Sequence, residues 1–101
     1  MEKVIKDGKV GVLVSPGYGA GFYTWGAPEE AIFNPTLIDL VQKELYQEAI
    51  DFVKNTWDNV YTGGVSGLCV LWLDEGSEFV IDEYDGSETL MLKDNYNWVK
   101  A

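Results

Sequence analysis

The chain contains no histidine and no arginine. Without histidine there is no imidazole to act as a general base near neutral pH, and none to ligate a metal. Without arginine there is no planar fork for bidentate grip on phosphate. Seven lysines stand against seventeen acids, a formal net charge of −10 at pH 7. Counterion release drives binding to duplex nucleic acid through a basic face, and here it has almost nothing to work with. The acidity serves solubility, or imitates nucleic acid toward a basic partner. Cys69 is the single cysteine, so no internal disulfide can form and a reducing compartment fits. It lies in the apolar run Leu68–Leu73 and reads as a buried, inert thiol. There is no long apolar run and no apolar leader, so a soluble, unprocessed, cytoplasmic protein with no membrane partner is expected.

What is present is enough for one domain, residues 1–101, with 47% apolar residues to build a modest core. Asp7-Gly8 suggests a hairpin into a first strand over about Lys9 to Val14. Asn34-Pro35 is a helix start, with Asn as N-cap and Pro in the first helical position. Leu37, Leu40, Val41, Leu45, Ala49, Phe52 and Val53 then recur at three- and four-residue spacing. That stripe predicts an amphipathic helical region from about Pro35 to Trp57, bent near Lys43-Glu44. The stripe is expected to bury against Leu71, Leu73, Ile81 and Leu92. Asn59–Gly67 reads as a loop. Leu68–Leu73 reads as a central strand, followed by Glu78–Tyr84, a hairpin turn at Asp85-Gly86, Glu88–Leu92 and Tyr96–Val99. The expected fold is α+β: an antiparallel sheet made of the C-terminal meander and the N-terminal strand, with one bent helix or two packed on one face.

The most distinctive stretch follows the first strand. Ser15 to Gly26 packs four glycines, four aromatic rings and two aliphatic hydroxyls into twelve residues. Glycines let backbone N–H groups approach a ligand closely, and flat rings offer stacking area. The combination suits a planar, polar small molecule; it also suits a tight turn whose rings fill the core. It is not a Walker loop, which ends in Gly-Lys-Ser/Thr. It is not a Rossmann fingerprint either: Gly17-x-Gly19-x-Gly21 runs into Phe22-Tyr23-Thr24-Trp25, and the next helix signals come too late.

Two further clusters stand out. Tyr61-Thr62-Gly63-Gly64 again sets bare N–H groups beside a ring and a hydroxyl. Asp82–Glu88 is dense in carboxylates, but it is too short and out of register for an EF-hand loop, so no metal site is expected. It reads as a solvated hairpin tip or as the rim of a binding site. Catalysis finds little support: the serines lack a histidine partner, no Gly-x-Ser-x-Gly elbow occurs, and no pair of acids is fixed for glycoside chemistry. No catalytic residue and no cofactor are assigned.

The run from Val12 through Trp25, with Phe33-Asn34-Pro35, Tyr61-Thr62-Gly63-Gly64 and Glu83-Tyr84-Asp85-Gly86-Ser87-Glu88, resembles a widespread family of small phage and mobile-element proteins. It looks like the anti-CBASS sponges, which sequester cyclic nucleotide immune signals. The resemblance covers nearly the whole chain. It implies non-catalytic binding of a cyclic dinucleotide or related nucleotide in the cytoplasm of an infected bacterium, suppressing antiviral defence. Ser15, Gly17, Tyr18, Gly19, Gly21, Tyr23, Thr24 and Trp25 are then expected to line one pocket with Thr62, Gly63 and Asp85. Rings would stack on bases, N–H groups and hydroxyls would meet phosphate or ribose, and Asp85 would accept from an exocyclic amine. Lys9, Lys93 or Lys100 would supply positive charge. A homo-oligomer, most simply a two-fold dimer, would let two copies share a pseudo-symmetric ligand. The rival from another class is an acidic inhibitor of a nucleic-acid-binding defence protein, anti-CRISPR-like, acting by protein–protein contact. A third reading is an interaction domain without a small ligand.

Overall fold

The computed structural model describes residues 1–93, so the expected strand Tyr96–Val99 and Lys100 lie outside the described residues. The fold is α+β, with three helices and two antiparallel sheets. Strands β1 (Ile5–Lys6) and β2 (Lys9–Val14) form a hairpin closed by Asp7-Gly8. Both turn residues have positive φ, 53° and 76°, as a type I′ turn demands. After the glycine–aromatic loop come α1 (Glu29–Phe33), α2 (Pro35–Gln42) and α3 (Tyr46–Thr56). Strand β3 (Cys69–Asp74) returns to pair with β2, giving the sheet order β1-β2-β3. Strands β4 (Phe79–Tyr84) and β5 (Ser87–Leu92) form a separate ribbon.

The helix signals are met by geometry. The Asn34 side-chain oxygen accepts from the Leu37 N–H at 3.0 Å, and Pro35 opens α2. The expected bend is a full break, because Glu44 takes a left-handed φ of 59°. The break carries Leu45 out of the apolar stripe to 40% exposure. Leu37, Val41, Ala49 and Val53 are buried as expected, while Leu40 and Phe52 are half-buried. Phe52 instead packs edge-on against Trp57, with ring centroids 5.7 Å apart. Leu73 and Ile81 pack half-buried against the same core, which also takes in Val12, Leu13, Phe22, Ile32 and Val65.

Two expectations about strands are corrected. Among the described residues Leu68–Leu73 does not supply a central strand: β3 pairs with β2 alone and is half-buried from Cys69 to Leu73. The central strand is β2, buried without alternation from Val10 to Val14, which an unbroken apolar run signals. The strands also do not form one continuous meander, because β3 pairs with β2 and not with β4. Short Glu29–Phe33 forms a separate helix with two acids in its first turn, where the helix dipole favours them.

Candidate functional site: a glycine–aromatic loop set on a buried carboxylate

The loop from Ser15 to Gly26 is organised by Glu88, near the start of β5. It is 2% exposed, and no lysine among the described residues pairs with it. A buried carboxylate is tolerated only when hydrogen bonds replace its water. Here four do. Oε1 accepts from the Ser15 N–H at 2.9 Å. Oε2 accepts from the Phe22 and Thr24 N–H groups, each at 2.9 Å, and from the Thr24 hydroxyl at 2.7 Å. The Glu88 N–H in turn donates to the Ser15 carbonyl at 2.8 Å. The loop is therefore an anion-binding nest whose anion is the protein's own carboxylate.

The β4–β5 turn locks against the first half of the loop. Asp85 and Gly86 have φ of 50° and 83°, again type I′. The Gly19 N–H donates to the Asp85 carbonyl at 2.8 Å, and the Ser87 hydroxyl donates to the Pro16 carbonyl at 2.6 Å. Gly86 lies so close that a Cβ there would strike the Ala20 amide nitrogen. From the other side Gly64 closes on the loop: its Cβ would fall 2.6 Å from the Gly21 carbonyl oxygen. The three motifs singled out in the sequence thus meet in one place.

Their meeting fixes a set of exposed rings. The Trp25 indole N–H donates to Glu83 Oε2 at 3.1 Å, and the Gly86 N–H donates to the same oxygen at 2.8 Å. These two bonds hold the Glu83 carboxyl below its ordinary pKa, the indole contributing most. The Trp25 ring leans on Tyr61 with centroids 5.6 Å apart and planes tilted by 35°. The Tyr61 ring lies over Gly63, where a Cβ would come within 2.5 Å of it. Tyr18 stands in solvent at 79% exposure. Between these rings is an open depression of about 530 Å³, lined by Tyr18, Gly19, Trp25 and Asp85.

The expected site residues divide into four groups. Tyr18, Gly19, Trp25 and Asp85 share the depression, with Gly63 adjoining through Tyr61. Gly17 is exposed on the loop and Thr62 is half-buried beside Tyr61. Ser15, Gly21 and Thr24 lie underneath. Ser15 is 1% exposed, and its hydroxyl donates to the Ala20 carbonyl at 2.9 Å and reaches that of Gly64 at 3.3 Å. A Cβ on Gly21 would meet Thr24, Trp25 and Glu88, and the Thr24 donors are committed to Glu88. Tyr23 faces elsewhere, onto a groove of about 580 Å³ between α1 and β4 floored by Ile32, Phe33, Phe79 and Ile81. That groove is the larger of the two, but it gathers none of the other expected residues.

Glu88, Glu83 and Tyr61 are the organising side chains that the expected site omitted. Glu88 had a signal: it stands two residues before Leu90, on the same face of β5, and Leu90 packs against the core. Of the lysines expected to supply positive charge, Lys100 lies outside the described residues and the other two stand away from the loop. Lys9 pairs with Asp74 at 3.4 Å at the end of β2 away from Ser15, and Lys93 pairs with Glu78 at 2.9 Å at the end of the ribbon away from its turn. Among the described residues no group of three His, Cys, Asp or Glu could hold a metal ion, and no helix is long and apolar enough to cross a membrane. Compared with known proteins, the chain matches no family model, no curated protein and no solved structure.

Proposed function

We propose that this protein binds a cyclic dinucleotide or related nucleotide signal without altering it, and so sequesters the signal from an antiviral defence in the bacterial cytoplasm. The observation that carries this reading is the open depression lined by Tyr18, Gly19, Trp25 and Asp85. Stacking on such rings contributes about 1–3 kcal/mol per base. Trp25 is held in place by Glu83 and Tyr61, so little ordering is left for the ligand to impose. Two copies would each supply one such slot to a ligand with two bases, which favours a two-fold dimer.

Calorimetry with a panel of cyclic dinucleotides tests the reading, together with recovery of the ligand after heat release. The expected result is saturable binding and an unchanged ligand. A cleaved product would make the protein an enzyme. Absence of binding by every member favours the second reading, an acidic inhibitor of a nucleic-acid-binding defence protein. That alternative rests on the exposed run Asp82, Glu83, Tyr84 and Asp85 at the ribbon tip, where carboxylates beside a ring would face a basic protein.

A further inference from the structure

Building on the nucleotide-binding reading, we infer that the slot grips its ligand by an amine-bearing base and leaves the phosphates in water, where they weaken binding. Three observations carry this. Six donors of the loop and the turn that could meet a phosphate are already used: the Ser15, Phe22 and Thr24 N–H groups and the Thr24 hydroxyl serve Glu88, the Gly19 N–H serves Asp85 and the Gly86 N–H serves Glu83. Among the described residues the charged groups tied to the slot are carboxylates: Asp85 lines it, Glu83 holds the Trp25 indole and Glu88 holds the loop. Lys9 and Lys93 stand at the far ends of their strands in ion pairs of their own. What the slot does offer is the rings of Tyr18 and Trp25 and the exposed Asp85, whose carboxylate accepts no hydrogen bond among the described residues. A carboxylate at the edge of a stacked base accepts from an exocyclic amine, as on cytosine or adenine.

The consequence is an inverted salt dependence. Ordinary nucleotide sites hold phosphate with cations and weaken as salt rises. Here salt screens a repulsion, so a phosphorylated ligand binds more tightly as ionic strength increases. The Debye length shrinks from about 30 Å at 0.01 M to about 8 Å at 0.15 M, which covers the span of the acidic rim.

The test is an NMR titration of the Trp25 indole N–H with adenosine, adenosine 5′-monophosphate and purine riboside, which lacks the amine, at 10 and 300 mM salt. Adenosine is expected to bind at least as tightly as the monophosphate at low salt. Raising the salt should tighten the monophosphate by about threefold and leave adenosine unchanged. Purine riboside should bind about tenfold more weakly than adenosine. Asp85→Asn tolerates the left-handed backbone at this position, and it should bring the monophosphate closer to adenosine at low salt. A monophosphate that binds more tightly than adenosine and weakens with salt would overturn the inference and leave nucleotide binding intact. Cyclic dinucleotides that bind while adenosine does not would do the same. Silence from all of them, cyclic dinucleotides included, would overturn the nucleotide-binding reading itself.

Discussion

The helical side and the loop side of this molecule are held by different physics. On the helical side, Leu37, Ile38, Ala49 and Val53 are buried among Val12, Leu13 and Ile32, and the contacts are spread over many apolar side chains. On the loop side, a dozen residues of irregular backbone hang on the two oxygens of Glu88 and on close approaches at Gly64 and Gly86. Apolar burial is non-directional and tolerates changes of shape. Hydrogen bonds to a buried charge are directional, and removing the acceptor strands every donor. A rigid loop can therefore be placed on a small domain, but only with one residue that cannot be exchanged.

Glu88→Ala should have the largest effect. It leaves three backbone N–H groups and a hydroxyl without an acceptor, and stranded buried donors cost about 1–3 kcal/mol each, so a loss of roughly 4 kcal/mol in urea unfolding is expected. The sharper comparison is between two near-isosteric changes. Leu37→Met on the helical side should cost less than about 1.5 kcal/mol. Glu88→Gln should cost about 2–3 kcal/mol, because one amide nitrogen must then face a donor where an oxygen accepted before. Equal costs for the two would break the distinction between the sides.

Gly86→Ala probes the close approach. The new Cβ meets Ala20 backbone and sits on a φ of 83°, so the turn and the loop cannot both keep their places. Strain of this kind costs about 1–3 kcal/mol. By contrast Gly8→Ala has a similar φ, 76°, but open space around the new atom. It should cost only the left-handed penalty of about 1 kcal/mol. A Gly8 variant as damaging as the Gly86 variant would show that backbone conformation, not docking onto the loop, sets the requirement.

Trp25→Ala separates fold from function within the loop side. The ring is 40% exposed, so its loss should move the unfolding midpoint little. Affinity for a bound nucleotide should fall by about 1–3 kcal/mol in calorimetry. Binding that survives the change would move the site away from the slot.

Much of the helical side was legible from the sequence because its signals are local and redundant. The Asn34-Pro35 cap, the three-and-four spacing and the Asp-Gly turns at 7–8 and 85–86 each point to the structure found. Leu45 fell outside the stripe because one left-handed residue, Glu44, resets the helical phase, and spacing alone does not show that. The two sheets were read as one because strand pairing is non-local: β2 and β3 are separated by all three helices. On the loop side the motifs were visible but their use was not. A glycine-rich loop advertises free N–H groups, and whether an internal carboxylate occupies them depends on a residue more than sixty positions away. The placement of Glu88 two residues before Leu90 was the one available clue.

The smallest expected effect concerns pH. The Trp25 indole and the Gly86 N–H hold the Glu83 carboxyl below its ordinary value. Because the folded pKa is the lower one, the contribution of these bonds is present in full above the ordinary glutamate value of about 4.3 and is lost as pH falls through the folded value. Protonation at that point weakens the indole's bond to Glu83 and loosens the Trp25 ring, which then rests on Tyr61 alone, while the helical side keeps its apolar contacts. An acid titration should therefore show the Trp25 indole N–H resonance shifting below the ordinary glutamate range, before cooperative unfolding. Glu83→Gln should abolish that step while leaving the global transition in place. A Trp25 signal that changes only together with the Leu37 and Val53 methyl resonances would mean that the loop side does not titrate separately from the core.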